Sequence, residues 1–156
     1  MKTVITALLA LLAMLPVQAL AQDSAVSAPI VQFVQAFNKG DVVAARATHL
    51  GDTVIIDEVF PYMWRGAGAF DAWIADLGKD AEAKRITEPS VELGTPTRTL
   101  VTGNSAYVIV PATYRFKQKG TAMSEAAQMT FALRSTAAGW KIAGWTWTGP
   151  NATPAP

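Results

Sequence analysis

The chain has 156 residues, one histidine, no cysteine and a formal net charge of +1 at pH 7. The balanced charge provides no broad positive field for nucleic acid or anionic lipid, and one histidine without cysteine excludes the ordinary structural zinc sites. We therefore expect no nucleic-acid partner, no metal and no cofactor.

Residues 1–21 have the pattern of a secretory signal peptide. Lys2 gives a positive start, residues 4–15 form an apolar run, and a small-x-small triplet ends at Ala21. The apolar run is shorter than the ~20 residues that a bilayer span needs, so a transmembrane anchor is the less favoured interpretation. We expect cleavage near Ala21, export to a bacterial periplasm or beyond, and no membrane span in the mature form.

After the signal peptide, the composition indicates one domain and a tail. Residues 22–148 have the length of a single domain, with enough apolar side chains for a core. Residues 149–156 contain three prolines and are predicted to be a disordered tail.

The domain is predicted to begin with two helices. Apolar residues at i, i+3, i+4 and i+7 from Ile30 to Phe37 predict an amphipathic helix, with Ser27 as its N-cap and Gly40 beyond its end. Asp41 predicts the cap of a second, shorter helix. The two helices should meet at a tight corner.

A short strand and a third helix follow. The strand covers residues 53–56 and should bury its three apolar side chains. The helical spacing resumes from Phe70 to Leu77, and Gly78 predicts the end of the third helix. Residues 79–88 are polar and are predicted to be a frayed helix end or a surface loop.

The second half of the domain is predicted to be a β-meander. The predicted strands are residues 91–93, 97–102, 106–116, 122–134 and 140–147. Short turns that contain glycine separate most of them, which favours antiparallel neighbours. The chain is therefore predicted to be α+β, with a curled antiparallel sheet wrapped around about three helices.

Asp57 is the first candidate for chemistry. It follows an apolar strand, where a carboxylate is expected only if it reaches water, a cap or a cavity. One interpretation is a general base in a partly apolar cavity, where desolvation raises its pKa. The other is a loop cap that accepts backbone N–H groups. The neighbouring Glu58 should point to the opposite face of an extended segment and be solvated.

Four motifs occur in order along the chain: Phe37-x-x-Gly40-Asp41, Asp52-x-Val54-x-x-Asp57, Trp64-Arg65-Gly66 and Gly139-Trp140-Lys141-Ile142. Taken in this order, they resemble the nuclear-transport-factor-2-like, or cystatin-like, cone, whose members include ketosteroid isomerases and SnoaL-like polyketide cyclases. The resemblance covers about residues 25–148. It implies a cone with an apolar pocket that is open at one end.

The resemblance also implies candidate roles. Asp57 matches the aspartate that takes and returns the substrate proton in the isomerases. Gln128, counted back from Gly139, matches a position that holds an oxyanion-hole group, and His49 matches a tyrosine that supports the oxyanion network in some members. Phe33 stands where the oxyanion-hole tyrosine would be, and it has no hydrogen-bond donor. A true ketosteroid isomerase is therefore not expected.

Four aromatic residues are candidates for ligand binding: Phe33, Phe60, Trp64 and Trp145. Large rings bury much area at modest entropic cost, and the position of Trp145 lines the pocket in the isomerases that the chain resembles. Core packing is the alternative for these rings. For His49 the alternative is a fully hydrogen-bonded side chain at the end of the second helix.

Two hypotheses for function follow. The first is an exported module that binds a small hydrophobic molecule or acts as an accessory or dimerisation module. The second is a cofactor-independent isomerase-type or cyclase-type enzyme with Asp57 as general base, assisted by Gln128 and His49. A homodimer is expected, because six apolar side chains of the strands lie on faces that one small pocket would not cover. They are Tyr107, Ile109, Tyr114, Phe116, Met129 and Phe131.

Overall fold

The computed structural model describes residues 15–155. Its helices are α1 (Leu15–Asn38), α2 (Val42–Ala47) and α3 (Ala69–Lys84). Its strands are β1 (His49–Ile56), β2 (Met63–Arg65), β3 (Ile86–Leu93), β4 (Arg98–Thr102), β5 (Ser105–Gln118), β6 (Thr121–Thr136), β7 (Gly139–Thr148) and β8 (Thr153–Pro154). Most of the predicted signal peptide, residues 1–14, lies outside the described residues.

The strands form one curled sheet in the order β2-β1-β7-β6-β5-β3, while β4 pairs with β5 and β8 pairs with β6. The predicted α+β cone is confirmed, and the meander from β4 to β7 is antiparallel as expected. The prediction of a wholly antiparallel sheet is wrong, because β1 and β7 are parallel neighbours. Parallel neighbours need a long crossover, and most of the domain lies between these two strands.

The core lies between the helices and the inner face of the sheet. Ile30, Phe33 and Val34 of α1 are buried as their helical spacing predicted, and Trp73 of α3 meets the Phe33 ring at a centroid distance of 6.1 Å. Phe131 of β6 is 0% exposed. Complete burial of one such side chain stabilises a fold by about 1.5–3 kcal/mol. The aromatic cluster therefore holds the helices against the sheet.

The helix ends differ from the prediction in two places. α1 passes through Ser27 and contains Pro29, whose ring is buried, so packing outweighs the backbone bond that proline removes. α3 continues past Gly78 and ends before Arg85, which adopts a left-handed conformation and donates its N–H to α3 carbonyls. Asp41 caps α2 through Ala44 N–H, as predicted. No helix among the described residues is long and apolar enough to cross a membrane.

The strand before Asp57 is longer than predicted and only partly buried. Ile55 is 0% exposed, whereas Val54 is 40% exposed and Ile56 is 43% exposed. Side chains alternate between the two faces of a strand, so three consecutive residues cannot all be buried on one face. The prediction that all three apolar side chains are buried is therefore wrong.

The end of the chain is ordered, in contrast to the predicted disordered tail. β8 pairs Thr153 with Ser124 and Pro154 with Met123, and Ala155 N–H donates to Ala122 O at 2.9 Å. β7 pairs with β6 only from Gln128 onward, so the start of β6 has a free edge. The returning chain pairs with that edge, which satisfies backbone groups that would otherwise be unpaired.

Candidate functional site

A cavity of about 690 Å³ opens between α1, α3 and one end of the sheet. Aromatic side chains form much of its wall, and they are Phe33, Phe37, Trp73, Tyr114, Phe116, Trp145 and Trp147. Asp57, Glu58, Asp80 and Lys84 are its charged lining residues. Its size suits a small organic molecule, and an apolar wall with a few polar groups is typical of ligand pockets.

Asp57 lies at this cavity, on the turn that follows β1. Its Oδ2 accepts the indole N–H of Trp73 at 2.6 Å, and its Oδ1 accepts the backbone N–H of Glu58 at 2.7 Å. Desolvation raises the pKa of Asp57 despite these two hydrogen bonds, which favour the charged form. The structure thus combines both interpretations of Asp57, since the carboxyl lies in a cavity and also accepts a loop amide.

Glu58 also lines the cavity, because the chain turns immediately after β1 instead of remaining extended. Its side chain is hydrogen-bonded to Glu125 of β6, whose exposed fraction is 2%. Desolvation, together with the charges of Glu125 and Asp57, raises the pKa of Glu58 to about 7. Glu58 is exposed, as expected, but it lies at the cavity and not on the opposite face of an extended segment.

Glu125 accepts the indole N–H of Trp147 at 2.7 Å. Burial raises the pKa of Glu125, while its bonds from Trp147 and Glu58 lower it. Tyr114 lies in the same region, and burial together with the nearby carboxylates raises its pKa to about 12. A hydrogen bond between the carboxyl groups of Glu58 and Glu125 needs one of the two to be protonated, so burial favours a pair that shares one proton.

His49 is buried behind the cavity wall and does not line the cavity. Its Nδ1 lies 3.0 Å from Ala45 O, which requires that nitrogen to carry the proton, and its Nε2 accepts the indole N–H of Trp145 at 3.1 Å. Burial lowers the pKa of His49 to about 4. The histidine is fully hydrogen-bonded and holds the Trp145 ring against the cavity, so a direct proton relay to a ligand is not supported.

The candidate aromatic residues divide into two pairs. Phe33 and Trp145 line the cavity, with ring centroids 5.6 Å apart. Phe60 is 75% exposed and lies away from the cavity. Trp64 is buried elsewhere in the core, and its indole N–H donates to Asp76 at 3.0 Å. The assignment of Phe60 and Trp64 to the cavity wall is therefore wrong.

Gln128 lies on the outer face of β6, opposite to the cavity. Glu125, Met129 and Phe131 of the same strand are buried on the inner face. The position predicted by counting back from Gly139 is off by one residue, because the inward-facing residues of this strand have odd numbers. A shift of one residue moves a side chain to the other face of a sheet. Gln128 is therefore not available as a donor inside the cavity.

The partners that hold the carboxyl groups are not predicted from the sequence. Trp73 lies on the apolar stripe of α3, and a buried indole N–H usually finds an acceptor. Glu125 lies within an inward-facing alternation on β6, and that pattern is the signal for a buried acid. Within residues 15–155, no group of three or more His, Asp or Glu side chains could hold a metal ion.

Comparisons with known proteins agree with this geometry. Residues 26–146 match the SnoaL-like domain family. No curated protein matches the chain. Among solved structures, a ketosteroid isomerase-like protein from Erwinia carotovora atroseptica is similar at 20% identity and a TM-score of 0.63, with 82% of this chain and 95% of that chain covered.

Two further solved structures have the same fold. A hexachlorocyclohexane dehydrochlorinase is 13% identical with a TM-score of 0.73, covering 90% of this chain and 93% of that chain. A nuclear-transport-factor-2-like protein with a cystatin-like fold from Novosphingobium aromaticivorans is 20% identical with a TM-score of 0.68, covering 84% of this chain and 83% of that one. The SnoaL-like domain matches most of this chain, residues 26–146, and the fold agrees with that match. The chain therefore belongs to the SnoaL-like domain family.

Proposed function

We propose that the chain binds a small, largely apolar molecule in its cavity. The observation that carries this proposal is the 690 Å³ cavity with its aromatic wall and its charged groups confined to a few positions. Trp73, Trp145 and Phe33 provide ring faces and edges for a flat ligand, and His49 fixes the Trp145 indole. Burial of a flat ring on such a wall gives about 25 cal/mol per Å² of apolar area.

Fluorescence titration with N-phenyl-1-naphthylamine, an apolar two-ring probe, tests the proposal. Gly78 and Ala81 of α3 line the cavity, and a side chain at Gly78 meets no atom within 4 Å at its Cβ. We expect saturable binding that Gly78→Phe or Ala81→Phe weakens at least tenfold. Ala75→Phe adds the same ring at an exposed position of α3 and should bind as the wild type does. A wild-type protein without saturable binding would contradict the proposal.

A second candidate function is proton transfer from carbon by Asp57. It is favoured by one observation, an apolar-walled carboxyl with a raised pKa that Trp73 holds in place. Asp57 would take a proton from a carbon next to a carbonyl group and return it to the same molecule. The solved isomerase-like and dehydrochlorinase structures have the same fold.

Deuterium uptake from D₂O into a panel of cyclic ketones, followed by proton NMR, tests this candidate. The wild type should exchange α-protons faster than Asp57→Asn, while Asp52→Asn changes an exposed acid of β1 and should exchange at the wild-type rate. Equal exchange by all three proteins would remove the catalytic role and leave the binding function.

We also propose that the chain is exported to the periplasm or beyond after cleavage near Ala21. The positive start, apolar run and small-x-small triplet support this location. α1 spans the cleavage position, and its residues Val26, Ile30 and Phe33 pack in the core beyond it. Mass spectrometry of protein from a periplasmic extract should give a chain that begins near Gln22, whereas a full-length mass would contradict cleavage.

A homodimer through the outer face of the sheet is a further part of the proposal. Phe116, Met129 and Phe131 are buried within the protomer, so they are not available to a dimer interface. Leu100 and Tyr107 do, because they are cross-strand partners with exposed fractions of 48% and 40%. Light scattering should give a dimer mass for the wild type and a monomer mass for Leu100→Glu, and a monomeric wild type would contradict the proposal.

A further inference from the structure

We propose that residues 149–155, the C-terminal strap, form the closing wall of the cavity and that Asn151 is its specificity-determining contact with the ligand. The inference rests on the proposed binding function and adds the class of ligand: an apolar ring that carries a neutral hydroxyl or carbonyl group at its strap end. The strap extends the cavity beyond the sheet and helices that define the rest of its wall.

The strap is fixed at both of its ends. At its start, Gly149 lies directly on Glu125 and Ala127, since a Cβ there would come within 2.2 Å of Glu125 Oε1 and 2.9 Å of Ala127 Cβ. At its end, Thr153 and Pro154 pair with β6, and Ala155 N–H donates to Ala122 O. These contacts hold the middle of the strap over one side of the cavity.

The middle of the strap faces the cavity. Asn151 and Ala152 are both lining residues. The Asn151 side chain is exposed and forms no hydrogen bond within residues 23–155, so its amide offers one acceptor and two donor hydrogens to a ligand. Asn151 and Gln118 are neutral amides in the same lining as Asp57 and Glu58. A ligand hydroxyl can donate to the amide or accept from it, and a ligand carbonyl can accept from it, which is the reason for the inferred ligand class.

Two matched probes test the role of Asn151. 2-Naphthol and naphthalene share a ring system and differ by one hydroxyl group. Asn151→Leu keeps the approximate volume and removes the amide, so we expect it to weaken 2-naphthol binding at least fivefold while naphthalene binding stays within twofold. Thr153→Val changes a strap residue that does not line the cavity and should alter neither affinity. Equal effects of Asn151→Leu on both probes, or no effect on either, would overturn the contact.

A chain that ends at Thr148 tests the closing wall without any ligand. Without the strap, acrylamide should reach the cavity more easily. Quenching of tryptophan fluorescence should therefore increase, because Trp73, Trp145 and Trp147 line the cavity. The full chain is the reference, and circular dichroism checks that the shortened chain is folded. Unchanged quenching in a folded shortened chain would overturn the strap as a wall.

The two tests separate failure of the strap from failure of the proposed function. If the full chain binds none of the probes but removal of the strap increases quenching, the binding function and the contact role of Asn151 are overturned while the closing wall stands. If the full chain binds the probes and removal changes neither quenching nor the dissociation rate of N-phenyl-1-naphthylamine, the binding function stands and the strap inference is overturned. At least a tenfold faster dissociation supports it.

Discussion

Trp73 donates its indole N–H to Asp57 Oδ2 across 2.6 Å, which joins the middle of α3 to the end of β1. The bond lowers the pKa of the carboxyl, but desolvation raises it by more. A carboxyl that is held by one indole and still has a raised pKa is oriented without being fully stabilised as an anion. Trp73 thus orients at the cavity a carboxyl group whose pKa is raised.

Trp73→Phe should therefore raise the pKa of Asp57 further. The change keeps a ring in the core and removes the donor, so the unfolding free energy should fall by about 1–2 kcal/mol. Carbon-13 NMR of the aspartate carboxyl groups measures the titration. Trp64→Phe is the matched control, because it removes an indole bond to Asp76 on the same helix. An Asp57 titration that is the same in all three proteins would contradict the proposed balance.

Asp57→Asn should leave the melting temperature unchanged or higher at pH 8. The folded-state pKa of Asp57 is raised, so its ionisation costs stability as the pH rises above the ordinary value of an aspartate. Asparagine removes that cost but keeps only one carbonyl oxygen to accept from Trp73 or Glu58. The advantage of the variant over the wild type should increase from pH 4 to pH 8. A melting temperature that falls clearly at pH 8 would show that the carboxylate acts mainly as a loop cap.

The sequence predicts the scaffold well because its signals are local. The helical spacing around Phe33 and the turn glycines between strands are each encoded within a few residues, and the structure confirms them. The site depends on which face of a strand points inward, and a count of residues over a long strand can fail by one, as it does at Gln128. Residues 149–155 are held in place because β8 pairs with a free edge of β6, and no local sequence pattern reveals that edge.

His49 should stay neutral over the ordinary pH range. Its pKa is lowered to about 4 by burial, so the stability that it contributes is complete above pH 6.5 and is lost as the pH falls toward 4. The full loss is about 3 kcal/mol. Nitrogen-15 NMR of this single histidine, in protein without a histidine tag, should show Nδ1–H and a midpoint below pH 5. A midpoint between 6 and 7 would contradict its buried, hydrogen-bonded environment.

Glu58 should affect stability in the opposite direction. Its folded pKa is raised to about 7, so its destabilising effect is absent at pH 4 and grows as the pH rises through 7. The side chain is exposed, so screening limits the effect to roughly 1 kcal/mol. Glu58→Gln should be more stable than the wild type at pH 8 and equal to it at pH 4, by chemical denaturation. Glu82→Gln, an exposed acid of α3, should show no such difference. If the stabilities of Glu58→Gln and the wild type changed with pH in parallel, the raised pKa of Glu58 beside Glu125 would be contradicted.

The most direct test of the proposed ligand cavity is a nitrogen-15 NMR titration of the five tryptophan indole groups with N-phenyl-1-naphthylamine. Three of these groups belong to cavity residues, Trp73, Trp145 and Trp147, whereas Trp64 and Trp140 lie outside the cavity lining. We predict saturable shifts of the first three indole signals and unchanged signals for the other two. Shifts confined to Trp64 and Trp140, or no saturable shift of any indole, would contradict the proposal that the cavity binds a small apolar molecule.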